Sequence, residues 1–414
     1  MHFDTLETRD PEARERAVFA ALRAQIAYAK ANTAAYARVL DGVDPKSLRD
    51  RAALARLPVV RKSELVEMQK SLPPFGGVAA SGWGTQPHRA RLVFASPGPL
   101  YEPEGNSADY WRLARALFAA GFRAGDLVHN TFSYHFTPGG AMLESGALAL
   151  GCTVFRGGTG QTEQQVQAMA ELAPDAYVGT PSFLKIILDK ADEQGVSLPS
   201  VKKALVSGEA FPPSLRDALG ARDIAAYQVY ASADLGSIAY ESTAREGLII
   251  DEGALVEIVR PGTGDPVAPG EVGEVVVTLL ANADYPLIRF GTGDLSAFMP
   301  GTSPCGRTNA RIKGWLGRAD QTTKVKGMFV HPAQVAQIAA RHPEIARARL
   351  VVDNAEGNDR MTLHVEIAGK ATASADAIVA TIRDITKLRG EFAVHAPGEL
   401  ANDGKVIDDT RKYT

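Results

Sequence analysis

The chain has 414 residues, 45% hydrophobic and 22% charged, which is ordinary for a globular protein and too long for a single core. A net charge of -3 argues against general affinity for nucleic acid or an anionic membrane and leaves a small molecule as the expected partner. The two cysteines, Cys152 and Cys305, form neither a disulfide framework nor a zinc cluster and point to a cytoplasmic, reducing compartment; no window approaches the roughly 18 apolar residues of a membrane span.

Residues 12–40 place Val18, Leu22, Ile26 and Ala29 at helical spacing with one buried face. Lys62 and Ser63 open a short helix in "LPVVRKSELVEM". "LVFASPGPLYEPEG", residues 92–105, is read as a strand, a loop and then a helix opening near Asn106. A regular alternation follows. "DLVHNTF", "CTVFRGG", "DAYVGT" and "VKKALVSGEA" read as strands, separated by helical "GGAMLESGALALG", "EQQVQAMAELA" and "PSFLKIILDKADEQG". Strands joined by helical crossovers predict a layered α/β domain with its binding loops at the carboxyl ends of parallel strands. From Gly247 short β-rich runs broken by Pro-Gly and Gly-Asp predict a small antiparallel sheet or barrel. Beyond "GWLGRAD", residues 314–320, two helices and three strands predict a second, mobile α+β domain. The expected division is a large domain over 1–316, with a β-rich subdomain over about 247–312, and a small domain over 317–414.

Taken in order, "LVSGEAF", "YQVYASAD", "DYPLIRFGTGD", "GRADQTTKVKG" and the C-terminal "DGK" resemble the signatures of the adenylate-forming enzymes, and closely those of the phenylacetate-CoA ligase branch. "SPCGRTNARI" and "LGCTVFRGGTGQTEQQVQ" agree with it. The resemblance spans nearly the whole chain and implies a large AMP-binding domain, a small rotating domain, and use of ATP, Mg²⁺ and CoA. It implies activation of a carboxylic acid as an acyl-adenylate, followed by acyl transfer, and it suggests a homodimer.

Each assignment has a physical basis and a plainer alternative. The resemblance gives Asp294 the ribose hydroxyls, which a carboxylate accepts well, although an Asp in a Gly-rich turn is common. It gives Arg318 a second ribose contact at the pivot, shared with Asp320, and it makes Lys405 the lysine that meets charge developing on the α-phosphate. Lys324 and Lys326 are expected to face CoA phosphates or to be surface lysines. Gly208, Glu209 and Ala210 match the loop that cradles adenine, and Tyr230, Ala231 and Ser232 the segment that packs beside it. Asp234 stands where the family holds magnesium with a glutamate. Tyr134, His135 and Phe136 are expected either to line the acid pocket or to be core residues.

The phosphate loop departs from the family. Pro97, Pro99 and Pro103 remove N–H donors, Glu102 and Glu104 bring negative charge toward a polyanion, and Gly291 replaces a cation. Three functions follow: an aryl- or acyl-CoA ligase, an adenylating enzyme with another acceptor, and a non-catalytic descendant that binds nucleotide, carboxylate or acyl-CoA.

Overall fold

A computed structural model describes the chain except for residues 84–88, 98, 261, 317, 320–322, 327, 331, 355–358, 368–373, 402–404 and 412–414. Two compact units emerge, Met1–Gly317 and Arg318–Thr414.

In the first unit a nine-stranded sheet runs in the order Phe298–Met299, Arg311–Ile312, Leu248–Ile250, Gly236–Tyr240, Ala225–Ser232, Lys203–Val206, Ala176–Gly179, Leu127–Asn130, Thr153–Arg156. Its last five strands are parallel and the rest pair antiparallel. The chain order reverses between Leu127–Asn130 and Ala176–Gly179, which opens a crevice at their carboxyl ends. The α/β reading holds, and the helices Gly139–Ala149, Thr162–Leu172 and Pro181–Glu193 form where the apolar spacing places them.

The β-rich segment divides in a way its turn signals do not reveal. Leu248–Ile250 and Arg311–Ile312 extend the main sheet, while Ala254–Val259, Gly273–Leu279 and Phe290–Ser296 make a separate sheet with Val60–Arg61 at its edge. Leu22, Ile26 and Ala29 of the helix Pro11–Asn32 are fully buried in the same apolar cluster as Leu255, Val277 and Phe290 of that second sheet. Their hydrophobic stripe therefore finds its partner in the β-rich region.

The expected loop and helix after residue 92 are corrected. Leu92–Ser96 and Leu100–Glu104 form a tight antiparallel hairpin, with Ser96 opposite Leu100 and Phe94 opposite Glu102. The helix starts at Ala114, eight residues later than Asn106, because Asp109 accepts the N–H groups of Leu113 and Ala114 at 2.9 and 3.1 Å. Prolines and glutamates read as loop, but the second strand buries Leu100, Glu102, Pro103 and Glu104 and leaves only Tyr101 exposed, and a two-stranded edge tolerates the missing donor of Pro103.

The second unit stacks helices Pro332–Arg341 and Ala375–Thr386 with a sheet ordered Glu391–His395, Arg360–Ile367, Ile345–Asp353, Ile407–Asp409. Ile378 and Ile382 are fully buried with Ile338, Leu350 and Leu363, and Ile385 packs partly buried against them.

Candidate active site

Beyond the strand Lys203–Val206 the backbone passes through Gly208 at φ +84°, a left-handed conformation that glycine adopts without a Cβ penalty. Glu209 then returns its Oε1 to the Ser182 N–H at 2.7 Å, in the first turn of the helix Pro181–Glu193. The carboxylate thus meets the positive end of a helix and fixes the loop; Ala210 follows, half-buried.

The neighbouring strand Ala225–Ser232 delivers Tyr230, whose hydroxyl donates to Asp294 Oδ2 at 2.8 Å. The indole N–H of Trp315 donates to Asp294 Oδ1 at 3.1 Å. Trp315 is held by a short ladder beside Asp294: the N–H groups of Lys313 and Leu316 donate to Ala297 and Leu295 carbonyls, both at 2.9 Å, and Ser296 Oγ donates to the Gly314 carbonyl at 2.7 Å. The structure therefore joins Tyr230 to Asp294 and adds a residue the motifs did not single out. An aromatic embedded in "GWLGRAD" was the available signal.

A register shift at Tyr230 and Ala231 bends the strand, and Ser232 Oγ accepts the Leu235 N–H at 3.2 Å to close the turn. Asp234 sits in this turn, 3% exposed. Its Oδ2 accepts from Lys62 Nζ at 3.0 Å. Lys62 opens the helix Lys62–Ser71, 172 residues away in sequence, and no local pattern links the two.

The hairpin 92–104 carries its two glutamates inward, in different circumstances. Glu104 receives Trp111 Nε1–H on Oε2 and Arg91 on Oε1, both at 2.9 Å. Glu102, fully buried, accepts from the Ser96 hydroxyl on Oε1, and among the described residues nothing bonds its Oε2. Burial, and then the negative charge of Asp234, push the Glu102 carboxyl up to about 8. Hard oxygens and a buried Asp234 Oδ1 without a hydrogen bond suit a magnesium ion in donor chemistry. At Gly291 a Cβ would lie 2.8 Å from Glu274 Oε1 and 3.3 Å from Arg61 Nη1, so the Arg61–Glu274 ion pair fills the space a side chain there would need.

The residues Tyr134, His135 and Phe136 separate. Asn130 Nδ2 donates to the Tyr134 hydroxyl at 2.8 Å, and the ring lies 5.5 Å from the Arg156 guanidinium. His135 is exposed and Phe136 is 80% exposed, and neither is a core residue. The Phe136 carbonyl accepts the Ala95 N–H at 2.8 Å, tying this loop to the hairpin. In the second unit Lys405 Nζ lies 3.0 Å from Asp408 Oδ1. Lys326 is exposed and its backbone N–H donates to Asp359 Oδ2 at 2.9 Å. Arg318 is half-buried at the first position of that unit; Asp320 and the Lys324 side chain lie outside the described residues.

A parallel-sheet crevice rimmed by a Gly-Glu loop, with a tyrosine-held aspartate beside it, is the framework of an AMP-binding enzyme, and residues 107–279 match that family. The chain belongs to the adenylate-forming enzymes, in their phenylacetate-CoA ligase branch. It is 32% identical over 363 residues to the phenylacetate-coenzyme A ligase of Thermus thermophilus, spanning 84% of this chain and 80% of that one. The phenylacetate-coenzyme A ligase of Aromatoleum evansii is 31% identical over the same shares. In fold, the chain is similar to a crystal structure of 2-hydroxyisobutyryl-CoA ligase in complex with 2-HIB-AMP and CoA, with a TM-score of 0.78 over 98% of this chain and 92% of that one, at 24% identity.

Proposed function

We propose that this protein activates a carboxylic acid with ATP as an acyl-adenylate and transfers the acyl group to CoA, with an aryl acid of the phenylacetate type as substrate. The observation that carries the reading is Asp294, an acceptor fixed by Tyr230 at 2.8 Å and Trp315 at 3.1 Å, in a chain whose relatives over 84% of its length are phenylacetate-CoA ligases. In this reading Asp294 and Arg318 hold the ribose hydroxyls, and Gly208, Glu209, Ala210, Tyr230, Ala231 and Ser232 border the adenine.

The substrate carboxylate oxygen attacks the α-phosphorus, the bond to the bridging oxygen breaks, and pyrophosphate leaves. Lys405 meets the charge that develops there. The CoA thiol then attacks the acyl carbonyl, gives up its proton and displaces AMP, with Lys326 near the CoA phosphates. Asp234 would hold magnesium, which would supply charge neutralisation to the phosphates. Tyr134 borders the acid pocket, with His135 and Phe136 at its solvent side. The setting is cytoplasmic.

The test is incubation of the protein with ATP, Mg²⁺, CoA and a panel of aryl and aliphatic acids, following AMP and thioester. CoA-dependent AMP release with an aryl acid is expected. Acyl-hydroxamate formed with hydroxylamine, but no CoA consumed, would transfer the reading to another acceptor. Folded protein giving neither would make it a binding descendant, a reading that the lysine-free hairpin favours.

A further inference from the structure

The lysines given to the two half-reactions, Lys405 and Lys326, sit on separate loops of the second unit, and both loops are tied to one short strand. Ile407–Asp409 lies at the edge of the four-stranded sheet, parallel to Ile345–Asp353, with Ile407 beside Leu350 and Asp408 beside Val351. Successive side chains of a strand point to opposite faces. Ile407 joins the buried cluster of Leu350, Ile338 and Ile378, so Asp408 faces away from the helices and Asp409 faces their side.

Asp408 divides its carboxylate. Oδ2 accepts from Arg349 on the neighbouring strand, a residue 8% exposed, and Oδ1 accepts from Lys405 Nζ at 3.0 Å. An isolated exposed ion pair holds a lysine weakly, but here the carboxylate is itself fixed by a buried partner. The chain that leads to Lys405 is moored as well. The Leu400 N–H donates to Glu366 Oε1, and the Leu400 carbonyl accepts from Arg347 Nη1, both at 2.8 Å.

Asp409 serves the other loop. Its Oδ1 accepts from Arg411 Nε at 2.8 Å and its Oδ2 from the Thr323 hydroxyl. Arg411 Nη2 donates to Thr323 Oγ1 and Nη1 pairs with Asp359 Oδ1, both at 3.0 Å. Asp359 Oδ2 in turn accepts the Lys326 N–H at 2.9 Å. Thr323 belongs to the hairpin of Thr323–Val325 and Met328–Val330, and Lys326 stands in its turn at φ +47°. A non-glycine residue keeps such a left-handed conformation when its surroundings hold it.

We infer that two consecutive aspartates of this strand are positioning residues, one for each half-reaction: Asp408 directs the Lys405 ammonium, and Asp409, through Arg411 and Asp359, holds the Lys326 turn. The inference rests on the proposed ligase reading, which supplies the two steps.

The experiment separates those steps in the full-length protein. Adenylation is read by pyrophosphate exchange with the acid of the panel that stimulates it most, and acyl transfer by thioester formed from CoA and the synthetic adenylate of that acid. Asp408→Asn is expected to lower kcat for exchange about tenfold or more, with KM for ATP within about twofold and acyl transfer at the wild-type rate. Asp408→Glu is expected to restore part of the exchange. Asp409→Asn and Arg411→Met are expected to do the reverse, raising KM for CoA about fivefold or more and leaving exchange unchanged. The unaffected half-reaction of each variant shows that it is folded. Loss of both half-reactions together would make the strand merely structural and overturn the inference, as would exchange by Asp408→Asn that equals or exceeds the wild-type rate, or an unchanged KM for CoA in Asp409→Asn and Arg411→Met. Those results leave the ligase reading intact, whereas wild-type protein that exchanges with no acid removes that reading and the inference with it.

Discussion

Asp294 is held from two sides, by the phenol of Tyr230 and the indole of Trp315, so its orientation is set before any ribose arrives. Hydrogen bonds to a charged group contribute about 1.5–3 kcal/mol. Tyr230→Phe, which removes one donor and keeps the ring, is expected to raise KM for ATP about tenfold or more with little change in stability, read by steady-state kinetics. Unchanged KM would remove Tyr230 from nucleotide positioning. The two thiols offer a test of local electrostatics. Burial raises both, but at Cys305 the Ser242 and Ser303 hydroxyls and Arg307 outweigh it and bring the thiol down to about 7, whereas burial with Asp126 nearby pushes Cys152 up to about 11. The thiolate is the reactive form. Alkylation followed by mass spectrometry is therefore expected to modify half-buried Cys305 first, with a rate rising through about pH 7, and Cys152 scarcely at all below pH 9. Equal labelling would contradict these environments.

The hairpin 92–104 and the Asp234 turn are the elements that shape the site. In the turn, Gly236 has φ +71°, and a Cβ there would lie 2.6 Å from the Trp111 carbonyl oxygen. Gly236→Ala is expected to cost about 2–4 kcal/mol in chemical denaturation, combining left-handed strain with a backbone clash. A cost near zero would mean that the turn relaxes freely. These two elements also mark how far the sequence could be read. Alternating strands and helices from Leu127 to Val206 were legible because apolar spacing reports burial directly. The hairpin was not, since its buried face carries Glu102 and Glu104, and charged residues read as solvent-facing unless their partners are known. The partners arrive from afar: Lys62 reaches Asp234 across 172 positions. Tyr230, Asp294 and the Gly208 loop were singled out by ordered motifs, whereas Trp315 reaches Asp294 through a contact that no spacing announces.

At the scale of the whole molecule, Asp294 and the residues proposed to border the adenine lie in Met1–Gly317, whereas Arg318 and Lys405 lie in Arg318–Thr414. Most of the nucleotide binding is therefore expected to be separable from the chemistry by mutation. Ile382→Ala, in the buried face of the helix Ala375–Thr386, is expected to destabilise the second unit by about 2–5 kcal/mol and to depress adenylation in parallel, while AMP binding by the first unit persists in calorimetry. Loss of AMP binding with Ile382→Ala would contradict that separation.

The most direct measurement is acid-stimulated ATP–pyrophosphate exchange with Mg²⁺, comparing the wild-type protein with Lys405→Ala. Exchange stimulated by an aryl acid, lowered about a hundredfold or more in the variant while its AMP binding stays unchanged, is the predicted result. Folded wild-type protein that exchanges with no acid, or a Lys405→Ala variant that exchanges as fast as wild type, would contradict the account.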